Sequence, residues 1–142
     1  MPTTETETLV EDLLQTTGLL IRRLRAEGDP GGLTWSQSVV VGRLGRHGPA
    51  TTAALARAER VKPQSMGMTL AALEREGLVT RQSDPEDGRQ WIYALTAQGQ
   101  AARERHRALK RGWLTGALSG LEDSEKEALG QALAVLRRLS SQ

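Results

Sequence analysis

Apolar residues recur at helical spacing through most of the chain, and the period changes once, after Gly77. Val10, Leu13, Leu14, Leu20, Ile21 and Leu24 predict an amphipathic helix over about 5–27. Thr4-Glu5-Thr6-Glu7 reads as its capping box, with Thr4 as the cap, and Gly28-Asp29-Pro30-Gly31-Gly32 ends it in a loop. Thr34-Trp35-Ser36-Gln37 is a second capping box, opening a helix through Val40, Val41 and Leu44 that Gly48-Pro49 stops. Thr51 or Thr52 caps a short helix, TTAALARAER, which cannot hold without packing. Pro63 takes a first helical position in PQSMGMTLAALERE, and Gly77 is the stop. LVTRQ and QWIYALT are then enriched in strand formers around DPEDG, which predicts a hairpin with a charged tip. A long helix from Thr96 to about Gly120 follows, and Ala128, Leu129, Ala132, Leu133, Leu136 and Leu139 mark a last amphipathic one. The predicted fold class is mainly α with a small β-hairpin wing.

Two short helices joined by a tight turn and followed at once by a hairpin are the parts of a winged helix-turn-helix. The second helix of such a unit lies in the DNA major groove. On a helical wheel of residues 63–76, Met66, Leu70 and Leu73 fall together and face a core. The opposite face carries Gln64, Met68, Ala71 and Arg75, with Ser65 and Ala72 beside it. Gln can pair bidentately with adenine, and Met or Ala can touch a thymine methyl. An ordinary exposed helix face would carry the same residues, so the helix alone leaves both readings open. In the hairpin, Arg89 can enter a minor groove, whose negative potential attracts arginine, or pair with Asp87. That ion pair would also offset the acidic tip of Asp84, Glu86 and Asp87.

Across nearly its full length the chain resembles regulators of the MarR (multiple antibiotic resistance regulator) family. The matching pieces are LTWSQSVVVGRL, TTAALARAERVKPQSMGMTLAALEREGLVTR and DPEDGRQWIYALTAQG, in that order. The resemblance implies a bacterial, cytoplasmic transcription regulator that acts as a homodimer on a pseudo-palindromic operator, a repressor relieved by a small-molecule ligand. It implies one MarR-like domain over 1–142, with the winged helix-turn-helix lobe at 33–95 and a helical dimerisation lobe at 1–28 and 96–142. Its candidate DNA-contacting residues are Thr52, Lys62, Gln64, Ser65, Met68, Arg75, Asp87 and Arg89. The family often has Arg at the positions of Met68, Ala72 and Gly88, and Ser or Thr at that of Lys62. Fewer cations mean fewer phosphate contacts and a shallower salt dependence.

The dimerisation candidates are Leu13, Leu20, Gly112, Trp113, Gly116, Leu133 and Leu136. Ala108, Gly112, Gly116 and Gly120 recur every four residues, and glycine inside a helix costs about 1 kcal/mol relative to alanine. Close approach of another helix would justify that stripe; a break near Gly112 is the alternative. For a small-molecule effector, which the resemblance places between the two lobes, the candidates are Arg22, Trp35 and His47.

Composition narrows the field rather than naming a function. The net charge is +2 and there is no cysteine, which excludes disulfides, thiolate catalysis and a thiol redox sensor. The charge is uneven: residues 1–21 hold acids and no base, and Arg103, Arg105, Arg107, Lys110 and Arg111 make a basic run. His47 and His106 lie far apart without acids at ligand spacing, so neither a metal nor a cofactor is implied. There is no paired nucleophile and base and no phosphate loop after a strand, which argues against an enzyme. No apolar run approaches the ~18 residues of a membrane span, and the acidic start is unlike a signal peptide. The expectation is a soluble, sequence-specific regulator; an architectural DNA-binding protein with little sequence preference is the alternative.

Overall fold

The computed structural model describes residue 1 and residues 3–142. Helix α1 spans Thr4–Ala26, α2 Trp35–His47, α3 Thr52–Glu59, α4 Pro63–Arg75, α5 Ala97–Ser119 and α6 Asp123–Ser140. Strands β1 (Ala50–Thr51), β2 (Val79–Ser83) and β3 (Trp91–Leu95) form one antiparallel sheet in the order β1-β3-β2. The chain divides into two compact units, Met1–Leu109 and Lys110–Gln142.

Local chemistry accounts for the boundaries. The first helix is capped one residue earlier than the sequence predicts. Thr3, in extended backbone, accepts from the Thr6 N–H at 3.2 Å, so Thr4 is the first helical residue. The second capping box forms as expected: Thr34 Oγ1 accepts from Gln37 N, and Gln37 Oε1 accepts from Thr34 N. Thr51, not Thr52, caps α3. Gly48 and Gly77 end α2 and α4 with φ of 81° and 74°, where a side chain would be strained. Arg60 closes α3 in the left-handed region (φ 54°), a conformation that usually falls to glycine or asparagine. This residue makes the tight turn into α4.

The core lies in the first unit. Val40, Val41 and Leu44 of α2 pack with Leu55 and Ala56 of α3, Met66, Leu70 and Leu73 of α4, and Val79 and Tyr93 of the sheet. Burying each large side chain contributes roughly 1.5–3 kcal/mol, so this cluster fixes the orientation of α4 and of the sheet together. Two polar ties reinforce it. Gln37, buried at the start of α2, donates to Glu76 at 3.3 Å, and Arg43 Nε donates to Glu59 at 2.6 Å.

Thr96 joins the sheet to α5. Its hydroxyl donates to the Gly77 carbonyl at 2.6 Å and accepts from the Gly99 N–H at 3.0 Å. Gly99 itself lies so close to the Leu78 carbonyl oxygen that a Cβ there would collide with it. Further along α5, the Arg103 side chain fills the space over Gly45 of α2.

In α1 no residue is buried, and Leu9, Leu14 and Leu19 are exposed. The second unit holds the last turns of α5 and α6. In α6 no residue is buried either, and Leu129, Leu133, Val135 and Leu139 are exposed. Acids in the first turn and Arg137 and Arg138 in the last complement the dipole of α6. Burial lowers the Lys110 ammonium pKa from the usual lysine value.

Candidate nucleic-acid interface

Helix α4 presents its candidate contact residues on the side away from the core. Met66, Leu70 and Leu73 are buried as the wheel requires, and Gln64, Ser65, Met68 and Arg75 are exposed. Met68 is 71% exposed, a large apolar side chain presented to solvent at the middle of the face. Ala71 and Ala72 are half-buried, so the open face narrows toward the end of the helix. Pro63 occupies the first turn, and Lys62 before it makes no side-chain cap. The N-terminal amide groups of α4 therefore point outward without a side-chain acceptor at the cap, and Lys62 is exposed there as a cation.

The wing is ordered by its own aspartates. Asp84 Oδ1 accepts from Glu86 N at 2.9 Å, and Asp87 Oδ1 accepts from Arg89 N at 3.1 Å. Asp87 Oδ2 accepts from the Gln90 side chain at 3.2 Å. This corrects the expected Asp87–Arg89 ion pair. Asp87 binds the backbone N–H of Arg89, and among the described residues the guanidinium forms no salt bridge. Two of the three acids at the tip thus accept wing hydrogen bonds, while the Arg89 side chain is exposed.

A link between α4 and the wing was not apparent from the sequence. Arg81 on β2 pairs with Glu74 of α4 at 3.2 Å, and its guanidinium lies 4.3 Å from the centre of the Trp91 ring on β3. Register explains this: Arg81 opposes Tyr93 and Ser83 opposes Trp91, so Arg81 and Trp91 share one face as diagonal neighbours. The VTR and QWIY segments contain the signal, but only once the register is known. Arg57 and Arg60, exposed at the end of α3, are two further cations beside the α4 turn that the candidate set omitted. Thr52, at the start of α3, is half-buried.

The effector candidates are not gathered into one site. Trp35 and His47 are the first and last residues of α2 and lie about 18 Å apart along its axis. Trp35 is half-buried, with Arg25 of α1 stacked 4.5 Å from its ring centre, and it lines a cleft that includes neither Arg22 nor His47. Of the dimerisation candidates, Leu13, Leu20 and Leu133 are exposed, while Trp113 and Leu136 are half-buried. Helix α5 runs unbroken through Gly112 and Gly116, where an added Cβ would meet open space.

A family model described as MarR family matches residues 33–91, the span from the start of α2 to the wing. The HTH-type transcriptional repressor Rv2887 of Mycobacterium tuberculosis is 35% identical over 100 residues, covering 70% of this chain and 72% of its own. The chain belongs to the MarR family. Two solved structures extend the match. A Pseudomonas aeruginosa protein is 34% identical, covers 99% of both chains and superposes with a TM-score of 0.86. BpsR of Bordetella bronchiseptica, whose DNA binding is regulated by 6-hydroxynicotinic acid, is 25% identical, with 89% of this chain and 98% of its own covered and a TM-score of 0.65. The MarR chain is therefore an HTH-type, DNA-binding transcriptional regulator and not an enzyme. Among the described residues, no helix is long and apolar enough to cross a membrane.

Proposed function

We propose that this MarR-family regulator is a cytoplasmic, sequence-specific homodimeric repressor, released from a pseudo-palindromic operator by a small molecule. The observation that carries the reading is the pairing of an open α4 face, Gln64, Ser65 and Met68, with a wing arginine that forms no salt bridge among the described residues. Gln64 reads adenine from the major groove, Met68 touches a thymine methyl, and Arg89 enters the adjacent minor groove. Lys62, Arg57, Arg60 and Arg75 contact phosphates and set the register on the duplex.

Dimerisation is supported by the exposed leucines of α1 and, separately, of α6, which leave apolar surface that a monomer would present to water. A second copy covering these faces places two α4 helices on half-sites ~34 Å apart. Residues 33–95 form the DNA-reading lobe in this reading, and 1–28 with 96–142 the dimerisation lobe. Repression and release by a ligand are supported by the repressor Rv2887 and by the regulation of BpsR.

The test is selection of bound fragments from bacterial genomic DNA with the purified protein. A recovered motif with two inverted half-sites one helical turn apart is the expected result. Recovery of fragments without a common motif would favour an architectural DNA-binding protein instead.

A further inference from the structure

The face that α4 turns to solvent has an oxidisable atom at its middle. Met68 is 71% exposed, whereas Met66, two residues earlier on the same helix, is 3% exposed and belongs to the core. Between them, at Gly67, an added Cβ would meet only open space, so this turn of the helix is not overhung by a neighbour. The chain has no cysteine, so no thiolate of its own competes for an oxidant. We propose that Met68 is a redox-modification site, at which a peroxide-class oxidant forms methionine sulfoxide and thereby weakens the regulator's hold on DNA. This role rests on the DNA-reading face proposed above for α4.

The chemistry requires no other residue. A lone pair on the Met68 sulfur attacks one oxygen of hydrogen peroxide, and an S–O bond forms as the O–O bond breaks. The proton on the transferred oxygen passes to the departing hydroxide, which leaves as water. The sulfur loses two electrons and the peroxide gains them.

Exposure decides which methionine reacts and what the fold experiences. At Met66 an oxidant has no access, and a polar oxygen there would sit in the core without a partner. At Met68 the added oxygen stays in water, so folding stability is unchanged. Bound to DNA, the two forms differ. The thioether is a flexible apolar group that can bury against a thymine methyl, while the sulfoxide is polar and must shed its water to do the same. Losing the burial of one methyl group weakens binding about fourfold per half-site, and about tenfold or more for a dimer on two half-sites. The third methionine, Met1, is also exposed but precedes α1 and lies on no face of α4. Methionine sulfoxide reductases reverse the change, so the site can serve as a signal rather than a lesion.

The test treats the purified protein with hydrogen peroxide. Peptide mapping by mass spectrometry locates added oxygen at Met1, Met66 and Met68, and fluorescence anisotropy follows binding to the selected operator. Met68 is expected to gain one oxygen while Met66 gains none, and operator affinity to fall about tenfold with unchanged urea unfolding. A mixture of the reductases for both sulfoxide epimers should restore the affinity. In Met68→Leu, whatever its own affinity, peroxide should change nothing; a fall of the same size there assigns the effect to another residue and overturns the site. Oxidation of Met66 as fast as Met68 overturns it too. Saturating operator separates this switch from the reading beneath it. If the duplex shields Met68 from peroxide but oxidised protein binds with undiminished affinity, the reading stands and the switch fails. If Met68 oxidises equally fast with and without operator, the residue lies outside the interface, and its reading role fails together with the switch.

Discussion

Two arginines on the wing do different work. Arg89 is exposed and forms no salt bridge among the described residues, so it is available to a groove, and Arg89→Ala should cost ~1–3 kcal/mol of operator binding without changing stability. Isothermal titration and urea unfolding together measure both parts; unchanged operator affinity would remove Arg89 from the interface. Arg81 instead acts through what it holds. It ties Glu74 of α4 to Trp91, and because both ends are substantially exposed the ion pair contributes at most ~1 kcal/mol and the ring contact about 0.5–1 kcal/mol. Arg81→Ala is expected to lower unfolding free energy by about 1 kcal/mol and to red-shift Trp91 emission, while Arg81→Lys restores less than half because the planar stack is lost. The buried face of α4 was legible from spacing alone, since Met66, Leu70 and Leu73 follow the helical period. The Arg81 link was not, because it depends on a cross-strand register that no local pattern encodes. The Asp87–Arg89 pairing was half legible: the two residues do interact, but a side chain two positions back reaches the backbone N–H more easily than it reaches the guanidinium.

Among the elements, α4 shows a conflict between stability and binding. Its cap position is Lys62, which satisfies none of the orphan N–H groups that a serine would. Lys62→Ser should therefore raise unfolding free energy by about 0.5–1 kcal/mol in denaturant titrations. On the proposed function the same change removes a cation that contacts phosphate, so the slope of log affinity against log salt should fall by about 1. A variant that gains stability with an unchanged slope would show that Lys62 does not touch the duplex. Helix ends marked by Thr34, Gly48, Pro63 and Gly77 were readable because each residue type solves a specific backbone problem. Strand β1 was not: two residues, Ala50 and Thr51, show no period, and they become a strand only because Tyr93 and Ile92 offer an edge. The one-residue error at the start of α1 has the same character, since Thr3 and Thr4 are equally able to cap.

At the scale of the molecule, the buried core lies in the first unit, on α2, α3, α4 and the sheet, while neither α1 nor α6 has a fully buried residue. That imbalance was visible in the sequence as apolar helices beyond those the winged unit needs, and on the homodimer reading a second chain covers them. On the homodimer reading, unfolding midpoints rise with protein concentration, as for any assembly whose folded form is the bound one. Gly116, where an added side chain would meet only open space within the chain, tests the contact directly. Gly116→Leu should leave helix content intact in circular dichroism yet lower the sedimentation coefficient toward that of a monomer, and weaken operator binding with it; a wild-type dimer would mean that no helix approaches there.

On the proposed function, the α4 face and the wing read sequence rather than charge alone. Fluorescence anisotropy at one fixed, near-physiological salt concentration, comparing the selected operator with a scrambled duplex of equal length and composition, tests it most directly. The expected result is a preference for the operator of about 10³ or more, falling when Gln64 or Arg89 is replaced by alanine. Equal affinity for the two duplexes would contradict it.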